Sequence, residues 1–448
     1  GTRGIDMAAA LLAGAAVMDI TPTDSQFLYG YPHVSRYSTG VHDPLLCSGL
    51  CLDDGRKQIL FLTTDIIFIS KALCRTVRQD ISARIGIAPE NILLSASHTH
   101  SGPITVNYVS NSQDAVVPPA DEAYLRFLQE RIIATAQLAW QNRQEAKAGL
   151  VTADSTGIGS NRHDPAGPAD HEVPVLLIKA NRDDANIACM LICSIHPTVL
   201  HEDSTLISAD FPGMARRYLQ TQLLGDSCPV LYHTGPAGNT SPRHVTSANT
   251  FAEAERLGRI LAEAVMRVVP GMDFSTDLPL ELVRAEIDLP RKVFPSLATA
   301  QVILLSARKK LELLCAEQAA KQAIRTAECD WFGAEETLAL AQAAAEGRLE
   351  EAYASCLPAE IQIFKVGPWR FVGGQGEVFV EYALSVKKAF AHTYLISLAN
   401  GELQGYLATA EAAAGGSYES ANALFSPTAG QVLVDTTIRL LKELVPNE

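Results

Sequence analysis

The chain has 448 residues, 47 % apolar and 19 % charged, a balance that suits a packed globular body with a large core and excludes a disordered or fibrous polymer. Lysine and arginine number 36 against 50 acidic residues, and the resulting formal net charge of −14 argues against nucleic acid or an anionic membrane surface as partner. Nine cysteines stand singly, with an odd total and no Cys-x-x-Cys pair, which reads as reduced thiols in a cytoplasmic protein.

Residues 1–6 read as an expression-tag remnant ahead of Met7. The apolar run 7–17 has no basic region of its own before it and leads directly into Met18-Asp19-Ile20-Thr21-Pro22, so it predicts a first core strand. Elsewhere no apolar, uncharged run approaches the ~20 residues a membrane helix needs.

Short β-branched or apolar runs predict buried strands at 58–64, 91–97, 173–179 and 187–195, and helical patterns occupy 70–84 and 124–144. This alternation predicts an α/β fold, a mixed β-sheet core flanked by helices, as a single domain over 7–448. Over 296–353 glycine and proline almost vanish while Ala, Leu, Glu, Gln, Lys and Arg dominate, which predicts an inserted helical hairpin. Strands resume at 361–365, 370–373 and 393–398, and a helix over 428–444 closes the chain.

Chemistry concentrates where strands end. In Ser95-Ala96-Ser97-His98-Thr99-His100-Ser101-Gly102-Pro103 the two histidines, two apart on extended chain, share one side of the backbone. Such a pair can hold one metal or set a ligand beside an acid/base group; a hydrogen-bonded structural pair is the competing account. The Ser-Gly-Pro turn that follows frees backbone N–H groups nearby. His196 ends another apolar run, stopped by Pro197, and Glu377 follows the turn Gly373-Gly374-Gln375-Gly376. Alone, His196 suits a structural role and Glu377 a helix cap. Together two imidazoles and a carboxylate from different strand ends make a His₂Glu set, a common holder of catalytic zinc because it leaves positions open. The glycine-rich Gly235-Pro236-Ala237-Gly238-Asn239-Thr240-Ser241-Pro242 is neither a phosphate loop nor a dinucleotide fingerprint, and there is no Gly-x-Ser-x-Gly elbow.

Taken in order, these pieces resemble the neutral ceramidase family. The likeness rests on Ala16-Val17-Met18-Asp19-Ile20-Thr21-Pro22, Ser-His-Thr-His-Ser-Gly-Pro, Asn161-Arg162, His196-Pro197, Gly238 to Pro242, Gly376-Glu377, Gly405-Tyr406-Leu407-Ala408-Thr409, Tyr418-Glu419 and Leu424-Phe425-Ser426-Pro427. The resemblance implies zinc held by His98, His196, Glu377 and Tyr406, with His100, Arg162 and Tyr418 around the substrate amide. Asn239 and Ser241, in the Gly238 to Pro242 piece, become candidate substrate contacts. The implied reaction is hydrolysis of an N-acyl amide by a zinc-activated water, His100 moving the proton, Tyr418 stabilising the oxyanion and Arg162 fixing the substrate.

Three departures bear on the substrate: no run matches the family's C-terminal immunoglobulin-like domain, the serine-rich motif is missing beyond Arg243-His244, and the helical stretch 296–353 is not a ceramidase feature. With the net charge, they predict a soluble secondary amide, turned over in the cytoplasm without stable membrane association, in place of ceramide. A metal-dependent esterase or lactonase, and a homologue that binds without turnover, are the alternatives.

Overall fold

Every side chain of the strand Gln58–Thr64 after its first residue is buried, and the period-2 alternation sends neighbours to opposite faces. Leu60 and Leu62 pack with Val77 and Ile81 of α1 (Lys71–Ile85) and with Leu128 and Ile132 of α2 (Glu122–Gln141). Phe61 points the other way and meets the rings of Phe364 and Phe371 edge-on, at centroid distances of 5.3 and 5.5 Å. A strand covered by helices on one face and by a second sheet on the other reads as a continuous apolar run. The molecule is accordingly four layers deep: helices, sheet, sheet, helices.

This architecture comes from a computed structural model that describes residues 9–445; the assignment of 1–6 to a tag and of Met7 as first residue lies outside the described residues. The first sheet comprises β1 (Leu12–Asp19), β2 (Leu46–Asp53), β3 (Gln58–Thr64), β4 (Ile92–Ala96), β5 (Gln144–Asp154), β6 (Glu172–Ala180), β7 (Asn186–Cys193) and β8 (Val230–Thr234). Its spatial order is β8-β7-β6-β5-β1-β2-β3-β4. The β3/β4 and β7/β8 pairs are parallel and the others antiparallel. Beyond β7, α3 (Phe211–Leu219) and α4 (Phe251–Val268) cover its outer face, where Leu257 and Leu261 meet Leu177 and Leu191.

The second sheet runs β9 (Leu280–Ile287), β10 (Ala359–Val366), β11 (Trp369–Gly374), β12 (Thr393–Ile396) in that spatial order. Between β9 and β10 lies the insertion, as α5 (Leu297–Ala316), α6 (Lys321–Ala345) and a short α7 (Leu349–Cys356). The predicted hairpin therefore carries a third helix, because Gly347, at φ 72°, ends the run that composition alone reads through. The two strands that flank the insertion pair directly, from Leu280 opposite Val366 to Ile287 opposite Ala359. After β11 come α8 (Val380–Ala389) and, at the end of the chain, α9 (Ala429–Leu444), whose Leu433 and Leu441 cover Ile361 and Ile363.

One buried ion pair ties the two sheets. Arg78 of α1 reaches Glu360 of β10 with Nη1 at 2.6 Å and Nη2 at 3.0 Å, while its Nη2 also donates to the Ile92 carbonyl. No helix among the described residues is long and apolar enough to cross a membrane.

Candidate active site

At the end of β4 the chain turns sharply, and His98 adopts φ 77°, a left-handed conformation that costs a non-glycine residue about 1 kcal/mol. The turn is held by the His98 N–H on the Ile66 carbonyl at 2.9 Å and by Nδ1 facing the Ile67 carbonyl at 2.9 Å. Two residues on, His100 lies against Gly30, where a Cβ would collide with the imidazole, so the close approach requires glycine. His196 follows β7; its N–H donates to the Thr240 carbonyl at 3.0 Å and its Nδ1 faces the Ala237 carbonyl at 2.5 Å. Glu377 follows β11 through Gly376, at φ 81°. Its short strand pairs in parallel with Tyr406–Leu407, setting Glu377 directly opposite Tyr406.

The consequence is a convergence of acceptors. Carbonyl partners at Nδ1 make that nitrogen the protonated one in both His98 and His196, leaving the Nε2 lone pairs to face inward. Both meet the same atom, Glu377 Oε1, at 2.8 Å from His98 and 3.1 Å from His196. His100 Nε2 stands 3.2 Å from His98 Nε2, and the ring nitrogens of His98, His100 and His196 cluster within 4.8 Å of one another. Lone pairs and a carboxylate at such range repel unless a positive charge lies among them, so the donor set suits a cation.

Burial sets the charge states around this point. It pushes His196 down to about 4, and it holds His100 well below its ordinary value with help from His98 and His196. Burial alone would raise Glu377, but positive charge on the facing imidazoles more than reverses this and holds it well below the carboxylate range, the direction any cation held at this point would give. Burial, followed by the Glu377 charge, raises the Tyr406 phenol well above its ordinary value, with the neighbouring Arg162 guanidinium opposing.

His98, His100 and Glu377 of this cluster form one side of a cavity of about 90 Å³. Tyr29, Tyr31, Phe68, Tyr108, Tyr406 and Tyr418 line it as well. The far wall comes from the insertion, as Phe332, Glu335 and Glu336 of α6.

Residues 11–229 match the family model described as neutral/alkaline non-lysosomal ceramidase, N-terminal. Over that stretch the chain is ceramidase-like. The crystal structure of neutral ceramidase from Pseudomonas aeruginosa aligns with 98 % of this chain and 76 % of its own, at TM-score 0.76 and 17 % identity. A ceramidase complexed with C2 aligns over the same shares at TM-score 0.75 and 17 % identity. At that identity the likeness concerns the fold, the mixed sheet flanked by helices expected from the sequence.

His98, His100, His196 and Glu377 meet at one point, Tyr406 and Tyr418 line the adjoining cavity with ring centroids 6.2 Å apart, and Arg162 touches Tyr406. Asn239 and Ser241 are engaged elsewhere. Asn239 accepts from the Val380 N–H at 2.9 Å and donates to Glu381 at 2.6 Å, holding the start of α8, and Ser241 Oγ accepts from the Arg243 N–H at 3.3 Å; neither lines the cavity. Phe332, Glu335, Glu336 and Asp114, which do line it, carry no motif in the sequence.

Proposed function

We propose that the chain is a zinc-dependent amidohydrolase that cleaves a small, soluble N-acyl amine. The observation that carries this reading is the meeting of two inward Nε2 lone pairs and one carboxylate oxygen, with carbonyl acceptors fixing both imidazoles from behind. His98, His196, Glu377 and Tyr406 would hold the ion, and the nearby Arg162 guanidinium favours the phenolate form of Tyr406. A zinc ion at such a site supplies Lewis acidity, lowering the pKa of water and polarising a carbonyl.

The chain's own residues do the rest. His100, kept neutral by burial, takes a proton from water through a ring nitrogen and delivers it to the departing amine. Tyr418, whose phenol burial holds protonated, donates its O–H to the developing oxyanion. Arg162 orients Tyr406 and the substrate's polar end. A cavity of about 90 Å³ suits a short acyl group better than a long lipid chain. A diffusible substrate met in the cytoplasm, with no nucleic acid and no stable membrane association, belongs to the same reading, in keeping with the net charge of −14.

The test pairs elemental analysis of the purified protein with parallel assays of short N-acyl amines, their O-acyl esters and long-chain ceramide. About one zinc per chain and a kcat/KM preference for short amides are expected. Absence of transition metal overturns the zinc assignment, preference for esters moves the chain to the esterases, and preference for ceramide overturns the substrate.

A further inference from the structure

The wall opposite the histidine cluster is acidic, and its charges are unequally matched. Glu335 is paired, its Oε1 2.6 Å from His33 Nε2, and Asp114 accepts from the His33 N–H at 2.8 Å. Glu336 has no such cation. Its stem is partly exposed, but Oε2 is buried and has no hydrogen-bond partner. The Asn422 side chain beside it is 7 % exposed, lines the same cavity, and has its own Oδ1 buried without a partner. Among the described residues no lysine or arginine lines the cavity, so the chain supplies no cation to this pair, and the Asn422 amide is the neighbour that acts on the Glu336 carboxyl by hydrogen bonding.

An unmatched acceptor at the wall of a binding cavity costs stability unless a ligand supplies the donor. The rings of Tyr29, Tyr31, Phe332 and Tyr418 surround the same space, and aromatic faces attract cations while offering a neutral polar group little. In the free protein burial pushes the Glu336 carboxyl up to about 8, Asn422 opposing and Glu335 and Asp114 adding to the rise; an arriving cation would restore the carboxylate. The chain's excess of acidic groups, 50 against 36 basic, steers cations toward such a pocket.

We infer that the amine portion of the substrate carries a second, cationic nitrogen, a primary ammonium or a guanidinium, received by Glu336 and Asn422 within the aromatic wall of α6. This rests on the amidohydrolase reading for the scissile bond and adds the class of amine: a mono-acylated diamine or a relative of one.

The experiment measures calorimetric binding and turnover of N-acetylated diamines against N-acetylated amino alcohols of the same length, on the metal-loaded protein and on Glu336→Gln and Glu335→Gln. The native protein is expected to bind the diamine series about tenfold to a hundredfold more tightly, the range for a hydrogen bond to a charged group. Glu336→Gln should remove most of that preference and Glu335→Gln, already matched by His33, a smaller part. Equal binding of the two series by the native protein, or a preference that survives Glu336→Gln, overturns the inference. Binding preference without hydrolysis of either series instead overturns the amidohydrolase reading and leaves the cation site standing.

Discussion

The cluster of His98, His196 and Glu377 and the wall formed by α6 face each other across one cavity, yet they are built in opposite ways. Each member of the cluster follows a buried strand, the two rings fixed by carbonyls from elsewhere in the chain and Glu377 placed by the pairing of its backbone with Tyr406. The wall belongs to helices that pack chiefly on one another, and the outer face of α5 leaves Val302 66 % and Leu305 71 % exposed. Geometry that must hold to a fraction of an ångström is assigned to the part that long-range contacts overdetermine, and the shape of the binding space to a locally folded addition.

The comparison breaks first if the cluster is dispensable. His196→Ala or Glu377→Ala is expected to lose both metal and activity, read by elemental analysis and turnover; full metal content in either variant would mean that the ion is held elsewhere. His100→Ala and Tyr418→Phe should keep the metal and lower kcat by about 10²- to 10⁴-fold, because their groups act on the transition state. Metal loss in His100→Ala would instead make the second histidine of the pair a ligand, as its 3.2 Å approach to His98 allows.

The frame that both parts share is tested at Glu360. Glu360→Gln leaves Arg78 without its buried partner and should cost about 3–5 kcal/mol in urea unfolding. Burial would raise the Glu360 pKa, but Arg78 more than reverses this and holds it below the ordinary carboxylate value. A depressed carboxylate stabilises fully above its unfolded pKa of about 4.3 and loses that contribution as pH falls through the lower folded value. The native protein and Glu360→Gln should therefore converge in stability on acidification in that window. The smallest effects belong to the addition: Phe332→Ala should shift KM about tenfold with metal content unchanged, and Val302→Thr on its exposed face should move stability by no more than about 0.5 kcal/mol.

The same contrast governs what the sequence disclosed. The strand at 58–64 and the helix at 70–84 are legible because their burial pattern is local; the His-Thr-His pair stands out in the sequence, but the expected strand alternation is not what joins its rings, since the strand ends at Ala96 and the left-handed turn at His98 brings the two together. Tyr406 is different. Its position follows from a two-residue parallel pairing with Glu377 that no periodicity announces, and only the family resemblance suggested it. Glu336 and Phe332 look like ordinary members of an amphipathic helix, since the face that α6 turns to the cavity is decided by docking. The glycine-rich stretch misleads for the reverse reason: Asn239 is a conspicuous polar residue whose hydrogen bonds the chain itself consumes in starting α8.

The pairing of β9 with β10 has a consequence for how such a chain can diversify. Since Ile287 and Ala359 are already neighbours across the sheet, the whole of α5 to α7 occupies the place of a hairpin turn. Its length and contents can change without moving any strand that carries the histidines. A connection of this kind tolerates exchange better than the strands on either side of it, so the share of the cavity lining that it carries is the part of this fold most open to change.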